Sequence, residues 1–143
     1  MDDLDRAILT QLSQDARLSL AVLARRLKVA RSTLQARLER LETSGTIAGY
    51  TLRLGAGASA GRIRTSVLLT IEPRAQPAIL SRLRAIPEVE RIHSTSGRVD
   101  LLLLVSAPST ERLDQVLDQI GHIPGVRCSE SLIHLATKLD RAV

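Results

Sequence analysis

Residues 20–50, LAVLARRLKVARSTLQARLERLETSGTIAGY, decide how the first half of this chain folds. Leu20, Leu23, Ala24 and Leu27 recur at the spacing of a helix with one apolar face. After Lys28-Val29-Ala30 a second periodic run places Leu34, Leu38 and Leu41 on one stripe. The spacing predicts helices from Ser19 or Leu20 to Lys28 and from about Arg31 to Thr43. The second stops at Ser44-Gly45, where glycine can adopt the left-handed conformation that ends helices. From Arg17 to Arg40 there are seven basic residues against a single acid, Glu39, an excess far denser than the +5 of the whole chain. Two short helices, a tight connection and concentrated positive charge fit a helix–turn–helix whose second helix enters a DNA major groove. An ordinary helical pair with a solvated basic face is the competing reading. It is disfavoured because Glu39 and Glu42 appear only toward the far end of the second helix.

Working outward, Leu4, Ile8, Leu9 and Leu12 predict a preceding helix from about Leu4 to Ser13. Asp2 or Asp3 would cap it at the end where the helix dipole favours acids. On the other side, Thr46–Leu52 reads as a short strand or wing. Next, Leu54-Gly55-Ala56-Gly57-Ala58-Ser59-Ala60-Gly61 offers nothing large to bury, so residues 54–62 are expected to link a DNA-binding domain, 1–53, to a second domain, 63–143. Gly57-Ala58-Ser59-Ala60-Gly61 matches the G-x-S-x-G of hydrolase nucleophile turns. It lacks the flanking buried strand and helix that the motif requires, and a linker is the better reading.

The second half repeats itself. Ile79-Leu80, Leu83, Ile86-Pro87, Val89 and Ser94 are matched by Val116-Leu117, Ile120, Ile123-Pro124, Val126 and Ser131, at a constant offset of 37 residues. Each copy reads as an amphipathic helix, an Ile-Pro stop and a strand. Alternating apolar residues in Arg64–Ile71 and an apolar run in Val99–Val105 supply a strand before each helix. The expected fold class is therefore α+β: a winged helix–turn–helix followed by a βαββαβ ferredoxin-like sandwich. Two helices cover one face of such a sheet. Leu101–Val105 and Val67-Leu68-Leu69 are nevertheless apolar on both faces, which calls for a second copy of the chain as cover.

Composition narrows the functions. The chain has 143 residues, 44% of them hydrophobic, enough for one domain or two small ones. Tyr50 is the sole aromatic residue, which argues against a reader that stacks single-stranded bases. One cysteine, Cys128, precludes an internal disulfide framework and fits a reducing compartment, with an inert thiol preferred to a redox sensor. There is no signal-peptide pattern and no apolar run of membrane-spanning length, so a soluble cytoplasmic protein is expected, without membrane contact. His93, His122 and His134 lack metal-ligand spacing. Glu88 and Glu90, flanking Val89, are expected to face solvent. No paired carboxylates, triad or phosphate-cradling loop supports catalysis; neither catalytic nor metal residues, and no cofactor, are expected.

A family resemblance rests on Leu4-Asp5-Arg6-x-Ile8-Leu9, on Arg37-Leu38-x-Arg40-Leu41-Glu42-x-x-Gly45-x-Ile47-x-Gly49-Tyr50, and on Gly97-x-x-Asp100. In combination they resemble the leucine-responsive/asparagine-operon (Lrp/AsnC) transcription regulators over nearly the whole chain. The resemblance implies a winged helix–turn–helix, an effector-binding βαββαβ domain (the RAM type), and dimers that assemble into larger rings, commonly octamers. It also implies a small-molecule effector, usually an amino acid, bound where dimers meet. Two positions depart from the pattern. Ala30 stands where relatives often carry a capping serine, leaving either Ser32 or Thr33 to cap a slightly shorter helix or the end to fray until phosphate binds. Val99 stands where many carry an aromatic residue.

Arg31, Ser32, Thr33 and Gln35 are expected to contact base edges, arginine suiting guanine and glutamine suiting adenine. Arg25, Arg26, Lys28, Arg37 and Arg40 are assigned to phosphate, with an ion pair that braces the domain as the alternative for Arg37. Thr95, Ser96, Gly97, Val99 and Asp100, with Ser131, are the candidate effector residues. Gly97 and Asp100 also fit a plain turn. The expected partners are double-stranded DNA, an amino-acid effector and further copies of the chain. A metabolite-binding or enzymatic ferredoxin-like domain with a helical interaction module stays open as the alternative, since that sheet hosts many functions.

Overall fold

The structure is a computed structural model describing residues 1–55 and 57–140. Ala56 of the expected linker and the last three residues of the expected second domain lie outside the described residues. The described residues divide into two compact units, Met1–Arg53 with Leu139 and Asp140, and Leu54–Lys138.

The first unit has three helices: α1 (Asp3–Gln14), α2 (Leu20–Leu27) and α3 (Arg31–Thr43). Asp2 caps α1 in a reciprocal box with Asp5, each carboxylate accepting the other residue's backbone N–H. Ser19 caps α2 through the N–H of Val22 at 3.2 Å. Lys28 turns the chain out of α2 in the left-handed region, φ 55°, and Gly45 does the same beyond α3 at φ 75°. Ile8, Leu23, Ala24, Leu34 and Leu41 form the buried centre, with Leu4, Leu9, Leu12, Leu20, Leu27 and Leu38 packed around it. These are the apolar stripes of the sequence closing on one another.

Two expectations need correction here. Ser32 and Thr33 do not cap a shortened α3. The helix begins at Arg31 with Ala30 at the cap position and no side-chain hydrogen bond there. No strand forms in Thr46–Leu52. A lone alternating run has no ladder to join without a neighbouring strand. Instead Ile47 packs on the helical core, and the Tyr50 hydroxyl donates to the Glu42 carboxylate at 2.7 Å. Desolvation, reinforced by that carboxylate, pushes the Tyr50 phenol up to about 12.

The second unit runs β1 (Ile63–Ile71), a single 3-10 turn (Pro73–Ala75), α4 (Gln76–Arg84), β2 (Val89–Ser94), β3 (Leu101–Ala107), α5 (Thr110–Gly121) and β4 (Val126–Ile133). All strand pairs are antiparallel, in the order β2-β3-β1-β4. This is the split βαβ arrangement that the repeat implies, and the 37-residue offset carries the start of β2 at Val89 onto the start of β4 at Val126. Val67, Leu69, Leu101, Leu103 and Val105 on one sheet face meet Ile79, Leu83, Val116 and Ile120 of the helices in a continuous buried core. β3 begins at Leu101 rather than Val99, because the chain is still turning through Gly97 at φ 122°. On the opposite face Leu68 lies against Leu102, and Ser66 is flanked by Leu104 and Leu132. Leu68, Leu102 and Leu104 stay half-buried and Leu132 is 49% exposed, so this apolar face lacks full cover among the described residues.

Candidate nucleic-acid interface and effector site

The candidate DNA-contacting residues of the first unit separate into two sets. Arg25, Arg26, Lys28, Arg31, Ser32, Thr33 and Gln35 are all exposed, on α2, on the turn and on the first half of α3. Arg26 Nη1 also donates to Gln11 Oε1 of α1 at 3.0 Å, which ties α2 to its neighbour while leaving the charge in solvent. Gln35 Nε2 donates to Glu39 Oε1 at 3.2 Å, one turn further along α3.

Arg37 and Arg40 form the other set: both pair with carboxylates at the start of α1, and Arg40 also stays exposed to solvent. Arg37 Nη1 is held by the carboxylates of Asp2 and Asp5, and Arg40 Nη2 lies 2.6 Å from Asp5 Oδ2. Asp5 is fully buried, so the two guanidiniums are what make its burial tolerable. The ion-pair alternative for Arg37 is what the structure adopts, and Arg40 joins it. The buried Asp5 at the centre escaped the sequence reading, where it stood merely as one letter of a motif. Its signal was an acid at the position of an inner-face residue in α1.

The cluster is expected to make the first unit acid-sensitive. The Arg37 hydrogen bond, aided by the Asp5 backbone N–H, holds the Asp2 carboxyl down from 3.8 to about 2. Burial pushes Asp5 up, but the Asp2 backbone bond and the two arginines outweigh it, and the net shift is downward. A carboxyl lowered on folding contributes stability above its unfolded pKa and loses it as pH falls through the folded value. The helical signal of the full chain is therefore expected to hold at pH 5 and to fall between roughly pH 4 and pH 2. Arg37→Met should move that acid transition to higher pH; a transition unmoved in circular dichroism would show that the cluster does not stabilise the fold.

In the second unit the structure gathers Thr95, Ser96, Gly97, Val99 and Asp100 into the β2–β3 turn. Much of their hydrogen bonding is spent on the turn itself. Thr95 Oγ1 donates to the Val99 carbonyl at 2.7 Å, and the Thr95 N–H to the Asp100 carbonyl at 3.0 Å. Asp100 reaches into the neighbouring strand: its N–H donates to the Leu69 carbonyl and its carboxylate accepts the Ile71 N–H, each at 2.8 Å. Ser96 and Gly97 are left exposed. Arg98, absent from the expected set, extends from the turn to Glu130 on β4 at 3.3 Å.

Ser131 does not join this group. It lies opposite Val67, whereas the turn continues the row Leu101–Leu69–Ser129 at the end of the sheet. The antiparallel register puts it further along β4.

Glu88 also departs from expectation. It is largely buried and accepts from Arg112 Nε at 2.5 Å, and that guanidinium holds its carboxyl below the usual range. Glu90 is exposed. Among the described residues there is no group of three or more His, Cys, Asp or Glu side chains able to hold a metal ion, and no helix long and apolar enough to cross a membrane.

A three-helix unit with an exposed basic recognition helix, joined to a split βαβ sheet, defines a class: helix–turn–helix DNA-binding regulators carrying a separate sensing domain. Comparison with known families agrees at both ends. Residues 1–42 match the AsnC-type helix-turn-helix domain, and residues 64–143 match the Lrp/AsnC ligand binding domain. The chain belongs to the Lrp/AsnC family of transcription regulators.

It is 32% identical to the HTH-type transcriptional regulator LrpA of Mycobacterium tuberculosis over 134 residues, covering 93% of this chain and 89% of the relative. Among solved structures it is similar to Escherichia coli AsnC, with a TM-score of 0.91, 26% identity, and coverage of 100% of this chain and 97% of the other. It shares its fold with a Neisseria meningitidis transcriptional regulator solved as an L-Met complex, with a TM-score of 0.90, 23% identity, and coverage of 99% and 94%. The curated relatives are regulators, and the enzymatic alternative is set aside on that ground.

Proposed function

We propose that this regulator reads duplex DNA through Arg31, Ser32, Thr33 and Gln35, grips phosphates through Arg25, Arg26 and Lys28, and senses an amino acid at the β2–β3 turn. The observation that carries the reading is the division of the basic residues. The cations of α2 and early α3 are exposed and make no ion pair among the described residues, whereas Arg37 and Arg40 are paired with Asp2 and Asp5. Such a division leaves the unpaired cations and the early α3 residues free to meet the groove.

Gln35→Ala is expected to lower preference for a specific site, by about 1–3 kcal/mol at the affected base pair. Lys28→Ala should weaken binding to all sequences alike and reduce the salt slope by about 1. Gel retardation of the gene's upstream DNA and of random DNA, over a range of salt, separates the two. Equal losses for both variants on both DNAs would mean that the recognition helix is misassigned.

The effector reading draws support from the ligand-binding family model and from the fold neighbour's complex with L-Met. The exposed Ser96 and Gly97, with Val99 beside them, favour a small or aliphatic amino acid over an aromatic one. The proposed assembly is a dimer covering the apolar sheet face, with larger rings formed from dimers and the ligand where dimers meet. A ligand that prefers one assembly shifts the population toward it, by no more than its difference in affinity between states. Sedimentation velocity of the full chain across an amino-acid panel, with and without DNA, is expected to find one amino acid that changes both oligomer size and DNA affinity. A tightly bound amino acid that changes neither would refute the coupling.

A further inference from the structure

We propose that Glu39 is a positioning residue that decides which purine Gln35 reads; the inference rests on the base-contacting role proposed above for Gln35. Gln35 and Glu39 stand one turn apart on the exposed side of α3, joined by the bond from Gln35 Nε2 to Glu39 Oε1 at 3.2 Å. An ionised carboxylate accepts hydrogen bonds and donates none, so it fixes which end of the Gln35 amide is nitrogen.

The consequence is a count of donors. A free glutamine amide has two N–H donors and one carbonyl acceptor. In the major groove guanine presents two acceptors, N7 and O6, while adenine presents the N7 acceptor beside the N6 donor. With one N–H held by Glu39, Gln35 keeps one donor and one acceptor, the complement of adenine. An unrestrained amide can instead turn its nitrogen toward guanine and satisfy either purine.

Glu39 is the one acid between Arg17 and Arg40. A carboxylate on a surface that meets phosphate costs affinity, and a specificity role is what offsets that cost. The competing reading is a solvated acid that merely weakens binding to every sequence. The two separate at the conservative variant. Glu39→Gln removes the charge but keeps a carbonyl oxygen that accepts from Gln35. Glu39→Ala removes both.

The test is selection from a pool of duplex DNA randomised over two helical turns, using the full chain as wild type, Glu39→Ala, Glu39→Gln and Gln35→Ala. The wild type is expected to select adenine over guanine at one position of each half-site. Glu39→Ala should lose that discrimination, a fall of roughly fivefold or more at that position, since a good bidentate contact is what separates the bases. Glu39→Gln should retain it, while both variants bind random DNA more tightly to the same extent.

The proposal is overturned if Glu39→Ala selects the wild-type sequences with altered affinity alone. It is equally overturned if Glu39→Gln relaxes the preference as far as Glu39→Ala, because charge and not the hydrogen bond would then be responsible. A Gln35→Ala variant that selects the wild-type sequences would show the failure to lie in the base contact itself, and both readings would fall together.

Discussion

Gly125→Ala is expected to be among the most destabilising single-methyl additions in the second unit, costing about 2–5 kcal/mol from backbone strain and overpacking together. Gly125 lies between α5 and β4 at φ 97°, a conformation that side-chain-bearing residues rarely adopt. An added Cβ would fall on the Cβ of Ala75, with Ile79 Cδ1 at 3.2 Å. The turn cannot swing aside freely, because the Gly125 carbonyl accepts the Glu72 N–H at 2.7 Å. For a unit of this size such a loss lowers Tm by roughly 10 °C or more. Gly97→Ala is the matched control. It has φ 122° but open space around its Cβ position, so it should carry the backbone strain alone and a distinctly smaller fall. Thermal unfolding of the full chain followed by circular dichroism compares the two. Equal falls would mean that the contact with Ala75 is not tight.

The same turn marks how far the repeat can be read. A shift of 37 residues carries Glu88 onto Gly125 and Ala75 onto Arg112. The contact between Gly125 and Ala75 in one half therefore has its counterpart in the Glu88–Arg112 ion pair of the other. Periodicity revealed that the two halves share a backbone plan. It carried no information on how each fills the corresponding gap, because the partners lie far apart in the chain and belong to opposite copies. From the sequence, Glu88 is a charged neighbour of Val89 and reads as solvent-facing.

Legibility elsewhere followed the same division between local and distant causes. α3 was readable from Arg31 to Thr43, because its stripe and the Gly45 stop are local signals. The ferredoxin-like order was readable from the repeat. The missing wing was not, since Thr46–Leu52 has the residues of a strand and lacks a partner strand, a fact about the rest of the unit. Among the site residues, the exposed cations of α2 and early α3 stand where the helical pattern put them. The pairing of Arg37 and Arg40 with Asp5 was not readable, because the partners stand more than thirty positions apart in the chain. Ser131 was displaced by a register that no single strand specifies.

Leu102→Asp is expected to abolish the proposed dimer, leaving a folded monomer or an insoluble chain. Leu102 is half-buried on the sheet face turned away from the helices, opposite Leu68 on β1 and His93 on β2. Its neighbours in sequence, Leu101 and Leu103, are the ones that fill the core, so the change spares the interior of the unit. A second copy packed over this face would enclose the new carboxylate without a committed cation, a loss of roughly 3–5 kcal/mol where a charge is buried unpaired. Leu104→Asp is the milder of the two, since Arg91 stands opposite Leu104 and can pair with the carboxylate. Light scattering on the full chain is expected to give a dimer or a multiple of dimers for the wild type. Leu102→Asp should lose that assembly completely and Leu104→Asp partly. The ranking separates an interface from a fold defect, because misfolding would not respect the neighbouring arginine. A monodisperse wild-type monomer would leave the apolar face uncovered in solution and defeat the dimer proposal outright.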